Sequence, residues 1–248
     1  MSAPFRLAVL TDEISQDLGD VIRFAREFEL DGIELRSLFN RAFVELGAVD
    51  IAEIASQSAD AGLRIAGCAT PVFKCDLDSP AEIAAHVELF KRALDTAQRL
   101  DTNLVRIFTF LRRSHPATAD DLKRAASHVN SLLELVRGTP ICIGVENEAS
   151  CIVGTGSEMR SFLDYFPADP QLGVVWDPCN VLYLDGDSDP IHDEFPLIAD
   201  RILDVHIKDA RRDGSAAART CVELGLGQVD FPAQFKALNA LNYSGWIT

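Results

Sequence analysis

The feature that most constrains the fold is a regular alternation of short apolar segments with longer amphipathic ones. Runs rich in β-branched residues predict eight strands, at 5–13, 31–37, 63–70, 102–110, 141–148, 172–180, 202–209 and 243–248. Apolar residues at helical spacing predict seven intervening helices, at 17–30, 50–61, 80–100, 119–137, 155–166, 191–199 and 231–241. Such strict alternation is typical of a parallel sheet whose strands are joined by helical crossovers.

A closed barrel satisfies this pattern better than an open, doubly wound sheet does. Eight strands and 248 residues match a (β/α)₈ TIM barrel, which takes about 250 residues. An open sheet would collect its functional residues at one switch point. No GxGxxG follows strand one, and 225–230 (GLGQVD) contains only a GxG. We therefore predict an α/β fold with one TIM barrel domain spanning residues 1–248, and with strand eight at the end of the chain without a closing helix.

Three side chains of the kinds that bind metals follow three successive apolar runs. Glu146 ends ICIGVE, Asp177 follows LGVVW, and His206 follows ILDV. The intervals of 31 and 29 residues are about one strand–helix unit, so the fold would bring all three to one end of the barrel. Two carboxylates and an imidazole suit a divalent ion such as Mn²⁺, Mg²⁺, Co²⁺ or Zn²⁺. The sequence predicts one metal site there.

Further polar residues near strand ends are candidates for substrate binding. Asn180 and Lys208 lie close in sequence to Asp177 and His206, although an ion pair of Lys208 with Asp209 or Glu223 is an equal alternative. Glu34, at the end of strand two, is a candidate to orient a ligand. The remaining substrate-binding candidates are Glu13, Arg36, Lys74 and Arg106.

The composition limits which binding partners and which cellular compartment we expect for the protein. A net charge of −15 repels a phosphate backbone, so we expect no nucleic-acid partner. No apolar run approaches the roughly 18 residues of a membrane span, and the first residues lack the pattern of a signal peptide. We expect a cytoplasmic protein with no membrane contact. The sequence leaves open whether the chain forms a homo-oligomer. The six cysteines form no CxxC pair, so disulfides are not expected.

The chain resembles the sugar phosphate isomerase/epimerase family, which has a xylose-isomerase-like TIM barrel. The resemblance rests on the order and spacing of short motifs rather than on any one of them. These motifs are TDEISQDL, DGIELR, TPVFKCDL, VENE, WDPCN, VHIKD and GLGQVDF. Together they are specific for the superfamily and not for a substrate.

The resemblance implies a metal-dependent isomerase or epimerase that acts on a small sugar, a sugar phosphate or a related hydroxy-carbonyl compound through an enediolate. It assigns metal binding to Glu146, Asp177 and His206, and the role of catalytic base to Glu146. A second glutamate of that family would fall a residue or two past Thr248, so we expect the natural chain to continue.

Three alternatives stay open at the level of sequence. A dehydratase or lyase of the same superfamily would share the enediolate. A phosphoesterase resembling endonuclease IV would need several histidines at strand ends, and only His206 is so placed. A non-catalytic sugar-binding barrel would keep the fold without the reaction.

Overall fold

The computed structural model of the protein describes residues 5–167, 169–184, 188–212 and 219–248. The strands in these ranges are β1 (Arg6–Leu10), β2 (Gly32–Leu35), β3 (Ser37–Leu38), β4 (Arg41–Ala42), β5 (Arg64–Ala69), β6 (Leu104–Ile107), β7 (Cys142–Glu146), β8 (Leu172–Trp176), β9 (Ile202–Val205), β10 (Asp209–Arg212), β11 (Arg219–Val222) and β12 (Trp246–Ile247). The α-helices are α1 (Thr11–Ile14), α2 (Leu18–Glu27), α3 (Ala48–Asp60), α4 (Pro80–Arg99), α5 (Ala119–Val136), α6 (Gly156–Leu163), α7 (Pro178–Leu182) and α8 (Phe231–Ala240).

Eight parallel strands close into a barrel, which confirms the predicted TIM barrel. Their order around the barrel is β1-β12-β9-β8-β7-β6-β5-β2. The short strand β12 completes the circle, because Trp246 pairs with Arg6 of β1 on one side and with Asp204 of β9 on the other. All eight strands therefore direct their carboxyl ends to the same mouth, where TIM barrels carry their sites.

The helices cover the barrel with their apolar faces, as α5 illustrates. Its buried apolar residues lie on one face at helical spacing and are Leu122, Ala125, Ala126, Val129, Leu132, Leu133 and Val136. The Thr118 side chain caps the helix by accepting from the Asp121 amide. Burial of each such leucine or valine contributes about 1.5–3 kcal/mol, so the layer between helices and barrel is the main core.

The continuous helix predicted at 191–199 is wrong. The segment forms a wide helical turn at Pro190–Glu194 and two tighter ones at Phe195–Leu197 and Ala199–Arg201. Pro196 lacks the amide that an α-helix needs there, and its ring obstructs the preceding turn. The helix predicted to begin at Asp50 begins at Ala48 instead, and Asp50 lies in its first turn, where it accepts the amide of the cap residue Gly47.

Two small hairpins and an early helical turn also depart from the prediction. Strand one ends at Leu10, and Thr11–Ile14 is helical. Strands β3 and β4 pair antiparallel after β2. Strands β10 and β11 pair antiparallel between the predicted strand at 202–209 and the predicted helix at 231–241, where no strand was predicted; residues 213–218 lie outside the described residues. None of the described helices is long and apolar enough to cross a membrane. All six cysteines are free.

Candidate metal centre

Glu146, Asp177 and His206 lie at the ends of three adjacent barrel strands. Glu146 is the last residue of β7, Asp177 directly follows β8, and His206 directly follows β9. All three side chains are buried. Asp177 is also the N-cap of α7, where its Oδ1 accepts the amides of Cys179 and Asn180. Its second oxygen, Oδ2, takes no part in this cap.

Asn180 and Lys208 connect Glu146 to Asp177 through close polar contacts, and His206 lies beside Glu146. Asn180 Nδ2 lies 3.3 Å from Glu146 Oε1, and Asn180 Oδ1 accepts from Lys208 Nζ at 2.6 Å. Lys208 Nζ is also 3.0 Å from Asp177 Oδ2. His206 Nδ1 lies 3.7 Å from Glu146 Oε2. Of the two alternatives for Lys208, the structure thus shows contact with the site and not an ion pair with Asp209.

Arg106 lies beneath Glu146 and fixes its charge. Arg106 Nε is 3.1 Å from Glu146 Oε2, and both side chains are buried. Burial alone would raise the pKa of Glu146, but the charges of Arg106 and His206 outweigh it and hold that pKa at about 2. Arg106 in turn donates to the Thr70 carbonyl and stacks on the Phe108 ring. Glu146 is therefore ionised at neutral pH.

The other members of the network have pKa values moved by the same two effects. Burial raises the pKa of Asp177 to about 6, although Lys208 opposes the shift. For His206, burial lowers the pKa, but Glu34 and Glu146 outweigh it and hold the pKa well above its ordinary value. Lys208 has a raised pKa because Asp177 outweighs its partial burial.

A second pair of carboxylates, Glu34 and Asp204, lies on the other side of the His206 ring. Glu34 Oε2 is 2.8 Å from His206 Nε2, and Asp204 Oδ2 is 3.7 Å from the same nitrogen. Both carboxylates are fully buried, and burial together with Glu34 raises the pKa of Asp204 to about 7. Suitable ligand atoms of Glu34, Asp204 and His206 all lie within 4.8 Å of one another. Asp204 was not predicted, although a charged residue two positions before His206 in an apolar strand was a usable signal.

The remaining predicted residues lie outside this network. Arg36 pairs with Asp12 at 2.9 Å and with Glu13 at 2.6 Å, and the Glu13 side chain is largely exposed. Because α1 begins at Thr11, Glu13 does not end strand one as expected. Lys74 Nζ lies 3.3 Å from Glu148 Oε2 and 4.8 Å from the centre of the Phe108 ring.

Two buried polar residues that were not predicted shape the backbone around the site. Asn147 accepts the Asp177 amide and donates to the Asp177 carbonyl, both at 2.8 Å. Asp209 accepts the amides of Ala210, Gly225, Gly227 and Val229, and so holds the segment after β11 against the end of β9. A side chain at Gly227 would come within 2.1 Å of the Asp209 carboxylate, which explains the glycine.

The charges fit a bound divalent cation. Four carboxylates of the site are buried: those of Glu34, Glu146 and Asp204 lie within 3.7 Å of a ring nitrogen of His206, and that of Asp177 is joined to Glu146 through Lys208 and Asn180. Among the described residues, the permanent cations in contact with them are Arg106 and Lys208, which offset two of the four. Glu34 Oε1 is buried and has no hydrogen-bond partner within the described part of the chain. A divalent cation would balance the excess with oxygen and imidazole ligands that it prefers.

Comparison with known proteins agrees with the barrel. The sequence model of the family described as "Xylose isomerase-like TIM barrel" matches residues 22–248. No curated protein matches the chain in a sequence comparison.

Solved structures with the same fold include two whose described activities differ and one that contains magnesium. The D-allulose 3-epimerase from Methylomonas sp., in complex with D-allulose, is 21% identical with a TM-score of 0.74, over 98% of this chain and 83% of that one. The probable 3-DHS dehydratase from Bacillus anthracis is 16% identical with a TM-score of 0.79, over 98% and 92%. A xylose isomerase-like TIM barrel protein from Mycobacterium smegmatis, in complex with magnesium, is 16% identical with a TM-score of 0.76, over 100% and 91%. At these identities the likeness concerns the fold.

Proposed function

The chain belongs to the xylose isomerase-like TIM barrel family, and we propose that it is a divalent-metal-dependent isomerase or epimerase. The proposed substrate is a small sugar, a sugar phosphate or a related hydroxy-carbonyl compound, and the reaction passes through an enediolate. The observation that carries the proposal is the buried network at the ends of β7, β8 and β9. It combines two carboxylates and an imidazole of the kinds that bind divalent ions, and two further buried carboxylates, Glu34 and Asp204, lie beside the same imidazole.

Glu146, Asp177 and His206 are the residues proposed to hold the ion. When bound, a divalent ion would polarise a substrate carbonyl and favour loss of a proton from the adjacent carbon. Asn180 keeps the ligands in place, because its amide nitrogen lies against Glu146 and its amide oxygen accepts from Lys208. Asn147 fixes the backbone of Asp177 from below.

Glu146 is the proposed proton acceptor. Its carboxylate is ionised at neutral pH because Arg106 and His206 stabilise the charge. A carboxylate held beside the carbon next to a carbonyl can accept the proton of that carbon on one of its own oxygens and later release it. Return of a proton to the neighbouring carbon gives the isomer, whereas return to the opposite face of the same carbon gives the epimer.

Lys208 is proposed to hold a substrate oxygen. Its Nζ contacts Asp177 and Asn180, and 40% of its side chain remains exposed. An ammonium group in this position can donate a hydrogen bond to a hydroxyl or carbonyl oxygen that enters from the mouth. A relative with bound D-allulose supports a sugar as ligand.

Exchange of a substrate proton with solvent tests the proposal. The protein, loaded with Mn²⁺, is incubated in D₂O with a panel of ketoses, inososes and hydroxypyruvate, and deuterium in the recovered substrate is measured by mass spectrometry. We expect metal-dependent incorporation at the carbon next to the carbonyl for at least one compound. His206→Ala should lose the ion and the exchange together, and Glu146→Gln should lose the exchange because an amide cannot accept the proton.

Glu148→Gln is the matched control, since Glu148 follows the same strand but pairs with Lys74 outside the network. It should retain most of the exchange. Equal rates for Glu146→Gln and the unmodified protein would remove Glu146 as the base. Conversion without deuterium incorporation would favour a metal-assisted hydride shift. Loss of water from the substrate would favour the dehydratase reaction, for which the dehydratase of the same fold is a precedent. No turnover by a folded, metal-loaded protein would favour a binding protein.

A further inference from the structure

The imidazole of His206 presents its two nitrogens to two different groups of carboxylates. Nε2 lies 2.8 Å from Glu34 Oε2, within hydrogen-bond distance. Nδ1 lies 3.7 Å from Glu146 Oε2, on the side where Asn180 links Glu146 to Lys208 and Asp177. A neutral imidazole carries a proton on one nitrogen and a lone pair on the other, so only one of the two can bind a metal.

We propose that Glu34 is a positioning residue that keeps the proton on Nε2 of His206 and so makes Nδ1 the metal-binding nitrogen. This inference rests on the proposed function, because it concerns the same metal site. A histidine that binds a metal commonly donates its other N–H to a carboxylate, which fixes the ring orientation and strengthens the metal bond. The Glu34 carboxylate is fully buried and 2.8 Å away, so it is placed for that role.

The competing arrangement has the ion on Nε2, held by Glu34, Asp204 and His206. These three residues offer ligand atoms close enough for it. The geometry around Asp204 argues against it. Asp204 Oδ1 already accepts the Val205 amide at 2.7 Å, and both Asp204 oxygens lie 3.3–3.4 Å from the Thr248 hydroxyl.

Access also separates the two arrangements. Glu34 and Asp204 have no exposed surface, whereas the Lys208 side chain beside Asp177 is 40% exposed. An ion on the Nε2 side would be sealed from substrate, and catalytic sites keep an open coordination position. An ion on the Nδ1 side would lie next to Glu146 and Asp177, close to the mouth.

The first test reads the ring nitrogens directly and needs no variant. Protein labelled with ¹⁵N-histidine is loaded with diamagnetic Zn²⁺, and long-range ¹H–¹⁵N spectra assign the state of each His206 nitrogen. We expect a protonated Nε2 and a zinc-bound Nδ1. Zinc on Nε2 would overturn the inference and leave a metal-dependent function standing. Failure of His206 to take up zinc at all would overturn the inference and the proposed function together.

The second test compares two buried carboxylates with respect to metal affinity, measured by competition with a chelator. Glu34→Ala should weaken Zn²⁺ or Mn²⁺ binding by about 10–100-fold, the usual effect of removing such a partner. Glu34→Gln should bind more tightly than Glu34→Ala, because its amide oxygen still accepts from Nε2.

Asp204→Asn is the matched control, since Asp204 is equally buried but 3.7 Å from Nε2. It should weaken binding clearly less than Glu34→Ala does, because under the proposal Asp204 contributes charge but is neither a ligand nor the partner of Nε2. Equal losses for Asp204→Asn and Glu34→Ala would favour the competing arrangement and contradict the proposal. Unchanged affinity in a folded Glu34→Ala protein would contradict it as well. Thermal unfolding of each variant identifies those that are folded.

Discussion

Replacing Glu158 with glutamine tests whether one buried ion pair holds together two loops at the carboxyl end of the barrel. Glu158, on α6, accepts from Arg112 at 2.8 and 2.6 Å, in a bidentate arrangement. It also accepts the backbone amides of Ala117 and Gly154 at 2.9 Å. Both charged side chains are about nine-tenths buried. One carboxylate therefore joins the segment after β6 to the segment after β7.

The expected loss of stability follows from the hydrogen-bond donors and the buried charge that glutamine leaves without a partner. Its amide nitrogen would face N–H donors and could not accept from them, while the Arg112 charge would stay buried. Removing one partner of a buried pair costs about 3–5 kcal/mol. Arg112 keeps the carbonyls of Ala149 and Ile152 as acceptors, so we expect the lower figure, about 3 kcal/mol. For a chain of this size that is a fall in Tm of about 6–12 °C.

Thermal unfolding followed by circular dichroism at pH 7 measures this effect. Asp95→Asn is the matched control, because the Asp95–Arg99 pair on α4 is exposed. Such a pair contributes at most about 1 kcal/mol, so Tm should fall by less than about 4 °C. A fall of less than about 2 °C for Glu158→Gln would refute the reasoning.

The pH dependence of the same difference provides a second check. Burial would raise the pKa of Glu158, but the hydrogen bonds from Arg112, Gly154 and Ala117 outweigh it and lower that pKa below its ordinary 4.5. A depressed carboxyl pKa contributes stability that is present above the unfolded value and lost as the pH falls through the folded value. The gap between the unmodified protein and Glu158→Gln should therefore be constant from pH 7 to about 5 and shrink below about 4.5.

Three further predictions concern other parts of the molecule. Burial lowers the pKa of His86, whose Nδ1 accepts the Phe73 amide at 2.8 Å, so protein stability should decrease as the pH falls below the ordinary value of 6.5. Burial also lowers the pKa of His128, so His86→Gln should weaken that dependence in urea titrations at pH 7 and 5.5, and an unchanged dependence would contradict the assignment. Asp209→Asn should speed hydrogen exchange of the Gly225, Gly227 and Val229 amides at least about tenfold, because the charged acceptor is removed. Unaltered exchange would show that these amides are protected without the Asp209 carboxylate. With a net charge of −15, binding to abasic or plain duplex DNA should be negligible at physiological salt, and metal-dependent nicking in a gel assay would overturn the preferred function.

The barrel and the approximate place of the site could be predicted from sequence because both follow from periodicity. The spacing of apolar residues predicts the alternation of strands and helices. Residues at the carboxyl ends of parallel strands must lie together at one end of the barrel. Glu146, Asp177 and His206 are each one strand–helix unit apart, and the structure places them in one network. The local errors arose where proline or a short polar turn decides the backbone, as with Pro196 and the β10–β11 hairpin.

The pairing of side chains could not be predicted, since it depends on distances across the barrel. Glu34 and His206 are 172 positions apart, yet they are in hydrogen-bond contact. Lys208 has Asp209 next to it in sequence but contacts Asp177 instead, because Asp209 is occupied by backbone amides. Nothing local in the sequence distinguishes a carboxylate that binds amides from one that binds a cation.

Anomalous diffraction from crystals grown with Mn²⁺ tests the central claim most directly. The account predicts one anomalous peak at the carboxyl end of the barrel, within about 2.0–2.3 Å of ligating atoms of Glu146, Asp177 and His206, with Nδ1 as the histidine ligand. A peak bound by Glu34, Asp204 and Nε2 of His206 would contradict the assigned ligands, and the absence of any peak at saturating Mn²⁺ would contradict the metal site itself.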